Sequence, residues 1–229
     1  VKNIYTDTSM FPVAGEYAGN TTGDNDNYPD ISESDFLKCP PFFDTAQQID
    51  STWIHGYTGR NVTIGVIDVG IDTDNPELEE NIAGRIRKFH GERYPQMNAS
   101  SFSAALGYKY QNIQIYSNSL TFVKPFARME PFTARVVERS ILQGRGGLFV
   151  FPAGLPGNGF ANSIHTISVK CIGENGKVPP PVFANSATLL TVTHTARRFG
   201  DRKCDNKFGG SSAATAIISG IVALALQIK

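Results

Sequence analysis

Two segments carry side chains that could do covalent chemistry. Asp68 closes the apolar run VTIGVID and is followed by Val69 and Gly70. A strand there would deliver the carboxylate at its carboxyl end, where the active groups of open α/β sheets collect. Ser212 stands at the head of a run of small and then apolar residues, SSAATAIISGIVALALQ. In the first turn of a helix a hydroxyl meets unpaired N–H groups and a dipole that favour developing negative charge. A carboxylate and a hydroxyl suit acyl transfer when an imidazole between them serves as general base. Of the four histidines, His55, His90, His165 and His194, the first and the last two each read as a surface or satisfied core imidazole. Asp68 and Ser212 have plain readings too, since Asp-x-Gly after a strand caps turns and serine is a favoured N-cap.

The elements that must position these groups follow from hydrophobic pattern. Compact β-branched runs at residues 62–68, 112–117, 147–153 and 165–170 read as buried strands, and residues 188–192 as a weaker fifth. Between the second and third, PFTARVVERSILQGRGG places Phe132, Val136, Val137 and Ile141 on one helical face, with Glu130 and Pro131 suited to its start and Gly144 to its end. A strand, a helix and another strand imply a right-handed crossover and a parallel sheet. Phe43, Ala46, Ile49 and Trp53 share helix-like spacing ahead of the turn YTGRN. The last helix runs from about Ser212 to Gln227 with an apolar stripe at Ile217, Ile221, Leu224 and Ile228.

Composition bounds the rest. A chain of 229 residues, 41% hydrophobic, can bury one full-sized core. Residues 1–38 are polar and lack an apolar period, so they read as a loosely ordered lead-in to a domain at residues 39–229. Lysine plus arginine and aspartate plus glutamate both total 21, so no global field steers the chain to nucleic acid. No apolar run reaches the ~20 residues of a membrane-spanning helix. Cys39, Cys171 and Cys204 allow at most one internal bridge. Three sequons, at Asn20, Asn61 and Asn98, would be open to glycosylation in a secreted chain.

Taken in order, GYTGRNVTIGVIDVGIDTDNPELEENI resembles the aspartate region of subtilases, and of kexin/furin-type proprotein convertases in particular. GSSAATAIISGIVALALQ resembles their serine region, and IYSNS, QGRGGLFVF and NSIHTISV fall between in family order. The resemblance runs from about residue 42 to 226. It implies an α/β, subtilisin-like three-layer fold with a mainly parallel β-sheet. It makes Asp68 the carboxylate that orients an imidazole and Ser212 the nucleophile of a serine endopeptidase that processes proproteins. It also implies a peptide or protein as substrate or ligand, and a place in the secretory pathway or outside the cell.

The departures from the family pattern matter as much. The family histidine belongs to a motif beginning His-Gly-Thr, which this chain lacks. His90-Gly91-Glu92 precedes RYPQMN, whereas the related segment in convertases precedes their histidine. From Asn98 the sequence passes to a stretch resembling the family's run into IYSAS, as though the histidine helix, a following strand and their loops had been removed. The fold is therefore expected to be truncated around the histidine segment, by a real deletion or by an incomplete or exon-skipped product. Leu155 stands where the family has its oxyanion asparagine, and the handicap of losing one such donor is about 10²–10³ in rate. Ala216 replaces a usual proline and Val69 a usual second aspartate.

Asn158 matches a family acid that helps select basic side chains, making it the candidate substrate-binding residue. Lys124 and Arg128 stand where carboxylates are expected. AGRIRKFHGE replaces an acidic calcium-binding run, so no cofactor is expected. Cys204 matches a family cysteine whose partner lies in the absent segment. These features together lead to the expectation of a catalytically impaired, pseudoprotease-type domain. An active endopeptidase cleaving after basic residues, with a non-standard base such as His90, is the alternative.

Overall fold

Strand alternation sends successive side chains to opposite faces, and both faces of this sheet are apolar. The computed structural model describes residues 49–68, 81–82, 99–122, 124–173, 176–178, 189–192, 197–198, 204–205 and 210–228. The polar lead-in, Cys39, His90, the sequons at Asn20 and Asn98, and His194 lie outside them. In chain order the described elements are α1 (Ile49–Ile54), β1 (Ile64–Ile67), α2 (Ala99–Leu106), β2 (Ile115–Asn118), α3 (Pro131–Gln143), β3 (Leu148–Pro152), β4 (Thr166–Ile172) and β5 (Leu189–Val192). The short strands β6 (Arg197–Arg198) and β7 (Cys204–Asp205) and the helix α4 (Gly210–Gln227) complete them.

Strands β1 to β5 form one parallel sheet in sequential order. Its all-parallel pairing needs crossovers, and α3 supplies the one between β2 and β3 as the sequence predicts. β6 and β7 pair separately and antiparallel. Tyr116, Phe149 and Phe151 turn to one face and pack with Phe102 and Leu106 of α2 and Val137 of α3. Ile115, Val150, Val169 and Cys171 turn to the other face, against Ala214, Ile218 and Ala223 of α4. Helices, sheet and helix make the three layers of an α/β fold.

Three details differ from the pattern read in sequence. Phe132 points to solvent at 64% exposed, because α3 buries the line Thr133, Val137 and Ser140 instead. Thr133 shares a hydrogen bond of 2.7 Å with Ser103 of α2, and Val136 and Ile141 of the expected face pack partly buried against the core. Trp53 is largely exposed although Ile49 of the same helix is buried. On α4 the core line is Ala214, Ile218 and Ala223, while Ile228 is exposed. Small residues let this helix lie close to the sheet. By length and composition alone α4 could also cross a membrane, but here its core line packs on strands.

The ends of α4 define the two ends of the sheet. Near its start, the Ser212 hydroxyl donates to the Ser119 carbonyl just past β2, 3.2 Å away. Near its finish, Gln227 Oε1 accepts from the backbone N–H groups of Thr58, Gly59 and Arg60 at 2.8, 2.6 and 3.0 Å, and Nε2 donates to the Gly56 carbonyl at 3.1 Å. That loop feeds the amino end of β1. The 18 residues of α4 extend about 27 Å, enough to separate the two ends fully.

Candidate functional site

The parallel strands deliver their following residues to one end. Ile67 pairs with Asn118, so Asp68 and Ser119 leave adjacent strands side by side. Asp68 is exposed there. Because Ser212 binds the Ser119 carbonyl, the fold brings the two sequence-derived triad positions, Asp68 and Ser212, to the same end of neighbouring strands. An amide carbonyl holds the Ser212 proton but cannot serve as a general base at neutral pH.

Neither described imidazole stands at this end. His165 directly precedes β4, at the amino end, and its backbone N–H donates to Ser163 Oγ at 3.2 Å. His55 closes α1, with Nδ1 lying 2.6 Å from the Ser51 carbonyl, beside the loop that Gln227 holds. Among the described residues, no group of three or more His, Cys, Asp or Glu side chains could hold a metal ion. Cys171 is a buried free thiol, with Ser211 Oγ 3.8 Å from its sulfur.

Leu155 and Asn158 lie in the loop after β3. Leu155 is half-buried and its carbonyl accepts from the Asn158 N–H at 3.2 Å; its side chain offers no donor. Asn158 is 1% exposed. Its Nδ2 donates to Thr121 Oγ1 and, at 3.4 Å, to the Ala153 carbonyl, while Oδ1 accepts the Phe160 N–H at 3.0 Å. Its amide thus has partners on both atoms, and it ties the loop after β3 to the stretch after β2.

Those two stretches are joined along their length. The Phe126 N–H donates to the Pro156 carbonyl and the Gly159 N–H to the Ala127 carbonyl, both at 2.8 Å. Phe122 stacks on Phe160 with ring centroids 4.5 Å apart. Gly154, at φ +60°, has no room for a Cβ, which would run into Thr121 Oγ1 and the Asn158 amide. No open slot for a long side chain separates residues 121–122 from residues 153–160 where these contacts occur.

Sequence reasoning missed Ser119, Thr121 and Asn118, which all follow or end β2. Their signal was position, since the residues just past a parallel strand face the crevice where ligands bind. Asn118 is fully buried; its Nδ2 donates to the Leu120 carbonyl at 2.8 Å, while its Oδ1 has no hydrogen-bond partner among the described residues. A buried acceptor left unpaired costs about 1–3 kcal/mol. A cleft of about 280 Å³ lies at the opposite, amino end, lined by Arg60, Asn61, Val62, Gln114, Leu226 and Gln227.

No protein-family profile matches the chain. Individual proteins do. The chain is 26% identical over 254 aligned positions to proprotein convertase subtilisin/kexin type 5 of Rattus norvegicus, covering 78% of this chain and 14% of that protein. It is 27% identical over 242 positions to the dibasic-processing endoprotease of Schizosaccharomyces pombe, covering 77% and 34%. The same region matches Furin-1 of Xenopus laevis at 24% identity, covering 88% and 35%. The chain is a relative of the kexin/furin-type subtilases.

The relationship is of modest identity, and the chain spans about a third or less of these convertases. Its fold is that of subtilisin-like proteases. MycP1 from the ESX-1 type VII secretion system superposes with a TM-score of 0.60 at 14% identity, covering 82% of this chain and 75% of MycP1. The prenylagaramide maturation protease PagA superposes with a TM-score of 0.61 at 14% identity, covering 79% and 80%. The 254 positions aligned with the rat convertase outnumber the 229 residues of this chain. That convertase therefore carries residues inside the matched region that have no counterpart here.

Proposed function

We propose that this chain is a convertase-type pseudoprotease, which holds a peptide or protein at the carboxyl end of its sheet without cutting it. The observation that carries this reading is the hydrogen bond of Ser212 to a backbone carbonyl, with His55 and His165 both at the far end of the sheet. The absent His-Gly-Thr motif and the unfilled alignment positions support it. Leucine at the oxyanion position and the bonded contact between Thr121 and Asn158 weigh the same way. Loss of the histidine from a subtilisin costs about 10⁶ in kcat, so geometry elsewhere would have little activity to preserve.

Kinship with convertases supports a place in the secretory pathway or outside the cell. There Asn61, exposed in the turn before β1, is the described sequon open to a glycan. The test is labelling of the purified chain by a fluorophosphonate probe, with Ser212→Ala as the blank. The expected result is no labelling above the blank. Peptide cleavage that disappears in both Ser212→Ala and His90→Ala would instead establish an endopeptidase with a non-standard base.

A further inference from the structure

The segment between β2 and α3 presents a surface that the candidate catalytic residues do not use. Ala127 and Met129 pack inward against the aromatic core, while Phe126 and Arg128 face solvent. Phe126 is 76% exposed, and Lys124 beside it is exposed as well. Among the described residues neither Lys124 nor Arg128 has an ion-pair or hydrogen-bond partner for its side chain. The nearest carboxylate in sequence is half-buried Glu130, the residue that precedes α3.

The exposure of Phe126 is held in place. Its backbone lies at φ +57°, a left-handed conformation that a bulky residue rarely adopts. The bond from its N–H to the Pro156 carbonyl and the Gly159 bond to Ala127 fix the segment on both sides. A Cβ on Gly157 would strike the Phe126 ring, and one on Gly159 would strike the backbone at Arg128 and Met129. Strained conformations of this kind persist where surrounding structure overdetermines them, and they gather at ligand-binding segments. Here the strained backbone holds an exposed aromatic ring in a segment that carries an exposed cation two residues to either side.

We infer that Lys124, Phe126 and Arg128 form a docking surface for an acidic segment of a partner protein that also carries an apolar side chain to meet the Phe126 ring. Charge decides the choice of partner. Two exposed cations with no side-chain partner among the described residues repel a basic peptide and steer an acidic one, while the aromatic ring supplies the desolvated anchor that charges on an interface rim do not. The segment leaves β2 at its carboxyl end, the end that holds Ser212, so the inference rests on the proposed ligand-holding role and names the ligand's chemistry.

The test is fluorescence anisotropy of the purified chain with two labelled peptides, one of alternating Glu and Phe and one with Lys replacing every Glu. The acidic peptide is expected to bind, more weakly as salt rises, and the basic one to bind at least tenfold less well. Lys124→Glu with Arg128→Glu should cost the acidic peptide at least tenfold and reverse the preference. Phe126→Gly should also cost at least tenfold in affinity while leaving the melting temperature unchanged or higher, because glycine accepts the left-handed backbone. A purely structural Phe126 would lower the melting temperature instead. Equal or better binding of the basic peptide, no binding of the acidic one, or unchanged binding in the charge-reversed variant overturns the inference. Probe labelling or peptide cleavage at Ser212 would strike the non-cutting role alone and leave the docking surface standing.

Discussion

The carboxyl end of the sheet has two halves, and they have been treated differently. On the side of β1 and β2, Asp68 is exposed, Ser212 makes a bond of 3.2 Å to a carbonyl, and Asn118 buries an acceptor with no partner among the described residues. On the side of β2 and β3, Thr121, Asn158, Phe122 and Phe160 join two loops by hydrogen bonds and a stacked ring pair. Among the described residues, the first half brings the two sequence-derived positions to one end with no imidazole beside them. The second half is part of the core. Closing two loops on each other gains packing and hydrogen bonds that an open pocket between them would forgo.

The largest expected effect lies in the filled half. Asn158→Leu removes the partners of Thr121 Oγ1 and the Phe160 N–H within a buried loop, and should cost about 3 kcal/mol in urea denaturation. Asn118→Leu takes the donor from the Leu120 carbonyl but also removes an acceptor that is unpaired among the described residues, so the two effects offset and the net cost should be under about 1 kcal/mol. Equal costs for the two would erase the contrast between the halves.

Gln227→Ala comes next. It frees three N–H groups and one carbonyl at the amino end, where water reaches some of them, and should cost about 2 kcal/mol, or roughly 4–8 °C in melting temperature. Because Gln227 and Ser212 share α4, this variant asks whether the reaction half is held in place from the far end of the helix. A melting temperature equal to that of the unaltered chain would show that α4 is fixed by its core line alone.

Ser212→Ala should do least. Its side chain is half-exposed and, among the described residues, bonds to one amide carbonyl, so the change should fall within about 0.5 kcal/mol. A loss above about 2 kcal/mol would mean that this hydroxyl carries the joint between α4 and β2, and that the reaction half is as structural as the other.

Much of the architecture was legible in the amino-acid order. Five strands, the crossover helix between β2 and β3 and the last helix all follow from runs of β-branched residues, helical spacing and end residues such as Pro131 and Gly144. Asp68 and Ser212 were legible through long ordered resemblance, and Leu155 as a residue with no donor to offer. These are properties of a residue and its near neighbours, which sequence records directly. Helix α2 was not read, since its serines carry little apolar signal; Ser103 bonds back to the Ala99 carbonyl and across to Thr133.

Tertiary structure decided which residues at the margins of the helical faces turned inward and how the loops after β2 and β3 meet. Phe132 fits a helical apolar stripe, yet it points to water, while its neighbour Thr133 is buried in a hydroxyl pair with Ser103 where α2 meets α3. Asn158 reads in sequence as a substituted selectivity residue, and only the approach of residues 121–122 turns its amide inward with partners on both atoms. Nothing in the sequence marks Phe126 as exposed; its left-handed backbone and the bond of its N–H to the Pro156 carbonyl belong to the tertiary structure. The reason is common to all three. Sequence fixes what each side chain can bond or bury, but partners 30 or 37 residues away are chosen by the packing of strands and helices.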